Sequence, residues 1–178
     1  MRKLLAAAAV TAAATAAYAS PASASTLAGT CDIPGTATFS VPLKLVPQPL
    51  ELSFTSDPGA KCTGLVNGEL VQDTPVTVTV DGHVSFSCGV VGYALDADTR
   101  LSFDALRADA IDAHLNLASV AAQNVLYITG KQGGQATGRA SIFGQNDQVA
   151  VLQGCIDGDK VTSLKVTVSV VTAPTITG

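Results

Sequence analysis

The sequence predicts an all-β protein, an antiparallel β-sandwich or barrel of about 10–12 short strands with two disulfides. Apolar residues alternate with Thr, Ser and Asp along most of the chain, and Gly, Asn and Asp interrupt the alternation at short intervals. Alternation with a period of two is typical of strands that bury one face. The cysteines number four, an even count that suits disulfide pairing.

The chain begins with a pattern typical of a secretory signal peptide. Arg2 and Lys3 precede an apolar, alanine-rich run over residues 4–17, and small residues at 22–24 offer a cleavage site after Ala24. We therefore expect a signal peptide over 1–24 and a single secreted β-domain over 25–178, acting outside the cell or at the cell envelope. No later segment reaches the roughly 18 apolar residues of a membrane helix, which predicts no integral membrane segment after signal cleavage.

Two alternating segments follow, at residues 31–41 and 50–62. An antiparallel pairing that sets Phe39 opposite Phe54 places all of their apolar residues on one face, with residues 44–49 as the connection. The sequence therefore predicts that these segments form the first strand pair.

The same pairing selects a disulfide connectivity. It brings Cys31 opposite Cys62, which leaves Cys88 to pair with Cys155. The spacings contain no C-x2-C pair of the kind that binds zinc. We expect the bridges Cys31–Cys62 and Cys88–Cys155.

The turn pair Asn67-Gly68 predicts a type I′ hairpin. This register pairs Leu65 with Leu70 and places Val66 and its partner Glu69 on the outer face.

The clearest alternation lies in residues 75–88, PVTVTVDGHVSFSC. Asp-Gly inside such a pattern is a hairpin signal. A three-residue loop over 81–83 pairs Val80 with Val84 and keeps one face wholly apolar. The sequence therefore predicts a second hairpin here.

The remaining elements are predicted as strands. Residues 93–105 alternate as one long strand or two, and residues 104–122 fit a strand or an alanine-rich helix, of which we favour the strand. The continuous apolar run 124–129 suggests a strand covered on both faces, with Tyr127 in the core. Strands are also expected over the segments 135–143, 148–153 and 161–172.

Few residues are candidates for chemistry. His114 lies on a polar face beside Asp112, and a hydrolase would use it with Asp112 or Asp109. The chain has no G-x-S-x-G motif, so a solvated histidine is the better interpretation. Asp157 and Asp159 resemble part of a calcium loop, but the rest of the ligand pattern is missing and turn formation explains them.

Several short segments resemble those of uncharacterised secreted four-cysteine proteins of actinobacteria. They are the alanine-rich leader, Gly-Thr-Cys at 29–31, Gly-Cys at 154–155, and the ending SLKVTV (163–168) followed by PTITG (174–178). The resemblance implies an exported, disulfide-bearing β-domain with no known activity. It supplies no site residues.

Charge and composition restrict the partners. The formal net charge is −4, and loss of Arg2 and Lys3 with the signal peptide would change it to −6 (−4 − 2). That negative net charge disfavours nucleic acid as a partner.

We expect no cofactor and a non-catalytic secreted or cell-envelope domain that contacts a protein or a small ligand. Two alternatives stay open: a small secreted hydrolase with an Asp/His site, and a β-barrel carrier of a hydrophobic ligand.

Overall fold

In the part of the chain that the structure describes, the fold is all-β apart from one short helix. The structure is a computed structural model, and it describes residues 24–88, 94–103, 105–106, 109–120, 123–141, 148–157, 161–172 and 175–178. The elements within these residues are β1 (Thr26–Phe39), β2 (Gln48–Ser56), β3 (Lys61–Val66), β4 (Glu69–Pro75), β5 (Thr77–Phe86), β6 (Ala94–Ser102), β7 (Ile111–Val120), β8 (Gln123–Gly130), β9 (Gln135–Ser141), α1 (Gln148–Ile156), β10 (Ser163–Val171) and β11 (Ile176–Thr177).

Eight of the strands form a closed antiparallel barrel. Their order around it is β1-β2-β5-β6-β7-β8-β9-β10, and β10 pairs with β1 from Thr30↔Val171 to Thr38↔Ser163. Closure satisfies the hydrogen-bonding groups at both edges of the sheet, which would otherwise be exposed. The prediction of an antiparallel all-β fold is confirmed, and the structure is a barrel rather than a sandwich.

The long strand β1 joins the barrel to an outlying hairpin. One edge of β1 pairs with β10 and β11. The other edge pairs with β3 over residues 27–32 and with β2 over residues 35–39. Strands β3 and β4 therefore extend the sheet beyond the barrel wall, and β11 adds to β1 near its start.

Both predicted disulfides are present, Cys31–Cys62 and Cys88–Cys155. The first joins directly paired residues of β1 and β3. The second joins the end of β5 to α1, so it ties the helix to the barrel.

The predicted pairing of the first strands is right for one half and wrong for the other. Cys31 faces Cys62 as expected, but Phe39 faces Leu52, and Phe54 faces Ala37. The register differs by two residues because residues 50–62 are two strands, β2 and β3, separated by a turn. A shift of two keeps every side chain on its face, so alternation could not detect it.

The predicted hairpin at residues 75–88 is wrong: residues 77–86 are one continuous strand, β5. Alternation continues through residues 81–83, with Val80 and Val84 buried on the inner face and Gly82 between them. In a hairpin with a three-residue loop and in a continuous strand alike, the even-numbered residues of this segment lie on one face. The alternation therefore fits both structures. Gly82 allows β5 and β6 to lie close together, because a Cβ at this position would overlap the backbone of Ala97 on β6.

The hairpin at Asn67-Gly68 has the predicted register, but the face predicted to be buried is the exposed one. Leu65 pairs with Leu70, and Asn67 and Gly68 have the positive φ values, 53° and 80°, that a type I′ turn requires. Val66 is buried, whereas Leu65 and Leu70 are exposed. The β1 register decides this, since Val66 pairs with the buried Leu27.

Residues 148–153, predicted as a strand, belong to helix α1. Strands β9 and β10 pair directly with each other, which leaves the segment between them no ladder to join. A helix satisfies the backbone groups of such a segment internally.

Over residues 111–120 the favoured strand is confirmed as β7. Tyr127 is 46% exposed on β8, so the prediction that it is core and that β8 is covered on both faces is wrong.

Candidate ligand cavity

The interior of the barrel holds an apolar cavity of about 130 Å³. Its walls are alternate residues of all eight barrel strands, together with Ile176 of β11. They are Leu, Ile, Val, Phe and Ala side chains, with Thr99 as the one polar lining residue among those described. The cavity is therefore a direct product of the period-two alternation on strands that close into a ring.

The cavity offers almost nothing to a polar ligand. The hydroxyl of Thr99 donates a hydrogen bond to the carbonyl oxygen of Thr79 at 3.1 Å. No buried side-chain nitrogen or oxygen in the described residues lacks a partner. A polar molecule in this space would lose its hydrogen bonds to water, and among the described lining side chains only the hydroxyl oxygen of Thr99 could accept a new one. Each polar group left unpaired costs several kcal/mol, roughly 2–7.

The volume fixes the scale of what could bind. A cavity needs roughly 10–15 Å³ to hold one water-sized sphere, so a ligand of this space has at most about ten non-hydrogen atoms. It is close to the ~150 Å³ apolar cavity that stays dry and binds benzene. Phe39 and Phe86 stack in the wall with ring centroids 5.6 Å apart and planes at 13°, which provides a flat aromatic surface.

Buried apolar side chains lie at both ends of the barrel. At one end Leu27, Ile111 and Ile176 are 0–1% exposed. At the other, the α1 end, strands β1, β5, β7 and β9 finish, and α1 lies in the connection between β9 and β10. There Leu43, Cys155 and Val161 are buried as well.

His114 lies on the outer wall of the barrel. Its Nε2 is 3.1 Å from Oδ1 of Asp96, and its Nδ1 is 3.5 Å from Oδ1 of Asp98. The predicted neighbour Asp112 instead pairs with Arg100 at 3.3 Å. These contacts follow from the β6–β7 register, which sets Asp98 opposite His114 and Arg100 opposite Asp112. The cluster is an exposed ladder of polar contacts, in which an exposed ion pair such as Arg100–Asp112 contributes little, about 0–1 kcal/mol.

The other candidate residues do not converge. Asp109 is exposed in the segment before β7. Asp157 follows α1, and its carboxylate accepts a hydrogen bond from Gln153 at 3.0 Å. Asp159 lies outside the described residues. Among the residues that the structure describes, no group of three or more His, Cys, Asp or Glu side chains could hold a metal ion.

The sequence predicts which residues face the interior but not that a cavity lies between them. Alternation correctly marks Val80, Leu101 and Leu115 as inward-facing. Whether the inward side chains fill the barrel depends on the barrel radius and on which side chains contact each other across the interior. The radius and these contacts are set only when β1 pairs with β10 and closes the barrel.

No family model, curated protein or solved structure matches this chain. In the described part of the chain, no helix has the length and the apolar character needed to cross a bilayer.

Proposed function

We propose that this protein is a non-catalytic domain that binds a small apolar ligand inside its barrel. The observation that carries the proposal is the cavity of about 130 Å³, in which Thr99, the one polar side chain among the described lining residues, is hydrogen-bonded within the wall. Eight-stranded barrels have an interior wide enough for side chains or for one small ligand. The ligand class is an uncharged hydrocarbon-like molecule, such as a bicyclic aromatic or a short alkyl chain.

The interior is a better candidate than the outer wall. His114 contacts two carboxylates there and is part of an exposed ladder, whereas a hydrolase of the Asp/His type would pair the histidine with a nucleophile as well. Hydrophobic burial of a ten-atom ligand would provide the main binding free energy, at about 25 cal/mol per Å² of apolar surface.

Filling the cavity should abolish binding without unfolding the protein. Ala37 is 5% exposed and lines the cavity from β1, between Phe54 and Leu164 on the neighbouring strands. We expect Ala37→Leu to weaken the binding of naphthalene at least about tenfold, because the new side chain occupies the ligand's space. Titration calorimetry with naphthalene measures this, and urea denaturation should show stability within about 1 kcal/mol of the parent.

A matched control and an opposing variant sharpen the test. Thr38→Leu adds a comparable side chain to the adjacent, outward-facing position of β1 and should leave binding unchanged. Leu115→Ala removes a lining side chain. It should destabilise the protein by about 2–5 kcal/mol while retaining naphthalene binding. Equal binding by the parent and Ala37→Leu, or no binding by the parent, would overturn the proposal.

We further propose that the protein is exported and loses residues 1–24. Support comes from the leader pattern and from the fold boundary, since β1 begins at Thr26 and the carbonyl oxygen of Ser25 accepts a hydrogen bond from the amide of Gly178 at 3.1 Å. Cleavage after Ala24 would leave every described strand intact. The two disulfides suit an oxidising compartment.

Mass spectrometry of the protein recovered from culture medium should give a chain that begins at residue 25. Ala24→Phe should retain the leader, because signal cleavage needs a small residue at this position. Recovery of the protein only inside cells, with residue 1 as its N-terminus, would contradict export.

A further inference from the structure

We infer that the ligand is a small aromatic N–H heterocycle, such as indole, whose N–H group donates a hydrogen bond to the hydroxyl oxygen of Thr99. Thr99 is then the residue that determines specificity. This role rests on the function proposed above, since it needs a ligand in the barrel. It is carried by the position of Thr99 in the wall and by the hydrogen bond that its hydroxyl makes.

Thr99 lies among apolar side chains on the inner face of the barrel wall. It is 5% exposed and stands in the middle of the inward row of β6, between Ala97 and Leu101. Its partners on the neighbouring strands are Val80 of β5 and Ala113 of β7, and both are buried. None of these four side chains has a polar atom, so none can bond to the Thr99 hydroxyl.

The hydroxyl oxygen of Thr99 can accept a hydrogen bond from the cavity. The hydrogen of this hydroxyl is used in the bond to the carbonyl oxygen of Thr79 at 3.1 Å. In the described part of the chain, that is the one hydrogen bond of the Thr99 side chain. A hydroxyl oxygen has two lone pairs in addition to its O–H group, so both lone pairs are available to a donor on a ligand.

The wall offers a ligand no donor in return. Apart from Thr99, the described lining residues are Leu, Ile, Val, Phe and Ala. The backbone N–H groups of the closed barrel lie between neighbouring strands, in the antiparallel ladder. An acceptor on the ligand, such as a carbonyl oxygen, would be buried without a partner, which is costly. The cavity therefore favours a ligand that has one donor and no strong acceptor.

An aromatic N–H heterocycle has this combination of groups. The indole N–H is a donor only. Indole is slightly smaller than naphthalene, so it stays within the limit of about ten non-hydrogen atoms that the cavity sets. Its flat ring also suits the aromatic surface that Phe39 and Phe86 provide in the wall. A carboxylic acid or an amide of the same size would bury an unpaired acceptor.

Indole and indene are a matched pair of probes for the role of Thr99. They have the same bicyclic shape, but indene has a methylene group where indole has its N–H. We expect Thr99→Val to weaken indole binding at least about fivefold in titration calorimetry, because the buried N–H would lose its acceptor. Valine keeps the branched shape of threonine, so indene binding should be unchanged and would show that the cavity is intact.

Two further variants control for effects on the fold. Thr99→Ser keeps the hydroxyl and should retain the binding of indole. Thr129→Val makes the same exchange at an exposed position of β8 and should leave the binding of both molecules unchanged.

The magnetic resonance spectrum of isotopically labelled indole, bound to the parent protein, needs no variant. Its N–H proton should resonate downfield of its position in cyclohexane, because a hydrogen-bonded proton is deshielded. A position equal to that in cyclohexane would overturn the inference, even if Thr99→Val failed to fold.

The role of Thr99 and the cavity site can fail separately. Equal losses of indole and indene binding in Thr99→Val, or no loss of indole binding, would refute the role of Thr99. Binding of indene and naphthalene, but not of indole, by the parent would also refute it and leave a hydrocarbon site standing. Binding of none of the three molecules would overturn the proposed function and the specificity with it.

Discussion

Gly82→Val should destabilise the protein by about 3 kcal/mol. Gly82 faces inward in the middle of β5, where a Cβ would overlap the backbone of Ala97 and the carbonyl oxygen of Asp96 on β6. Backbone atoms of a paired strand cannot move aside as a flexible side chain can, so the β5–β6 ladder must separate. Urea denaturation followed by circular dichroism measures the loss.

Two control variants separate this clash from other effects. Asp81→Ala changes the adjacent exposed position and should alter the unfolding free energy by no more than about 0.5 kcal/mol. Gly68→Ala lies at φ 80° with open space around its Cβ, so it should cost about 1 kcal/mol from backbone strain alone. If Gly82→Val cost no more than Gly68→Ala, residue 82 would lie in an open turn, and the continuous strand would be wrong.

Removal of the Cys88–Cys155 bridge by a double change to alanine should cost about 4 kcal/mol, according to the chain-entropy model. The bridge closes a loop with a sequence separation of 67, against 31 for Cys31–Cys62. It is also the covalent tie between α1 and the barrel. We therefore expect protease cleavage within residues 148–157 to become faster as the unfolding free energy falls.

The Cys31→Ala and Cys62→Ala pair provides the comparison. These residues face each other on β1 and β3, which remain joined by their ladder when the bridge is absent. The loss of stability should again be about 4 kcal/mol, but protection of α1 from protease should be unchanged under native conditions. Equal cleavage of α1 in both variants would contradict a specific role of Cys88–Cys155 in holding the helix.

Alternation identified the inward residues even where the elements were misassigned. The predicted hairpin sets Val80 opposite Val84, whereas in the structure both point inward along one strand. The inward set is the same in both arrangements because parity does not change. The failures at Leu65 and at residues 148–153 have another origin. Both depend on which neighbour a segment pairs with, and a neighbour distant in sequence leaves no local signal.

The sequence by itself determined the all-β class and the inward face of most strands, because side-chain period and turn residues are local properties. It also determined both disulfides, because the predicted register holds where Cys31 faces Cys62 and the cysteines number four. Tertiary structure alone decided that the sheet closes, since nine residue pairs between β1 and β10 join segments far apart in the chain. Closure sets the barrel radius and so creates the cavity. It also leaves the segment of α1 outside the sheet, where it becomes a helix with Val149, Leu152 and Ile156 exposed.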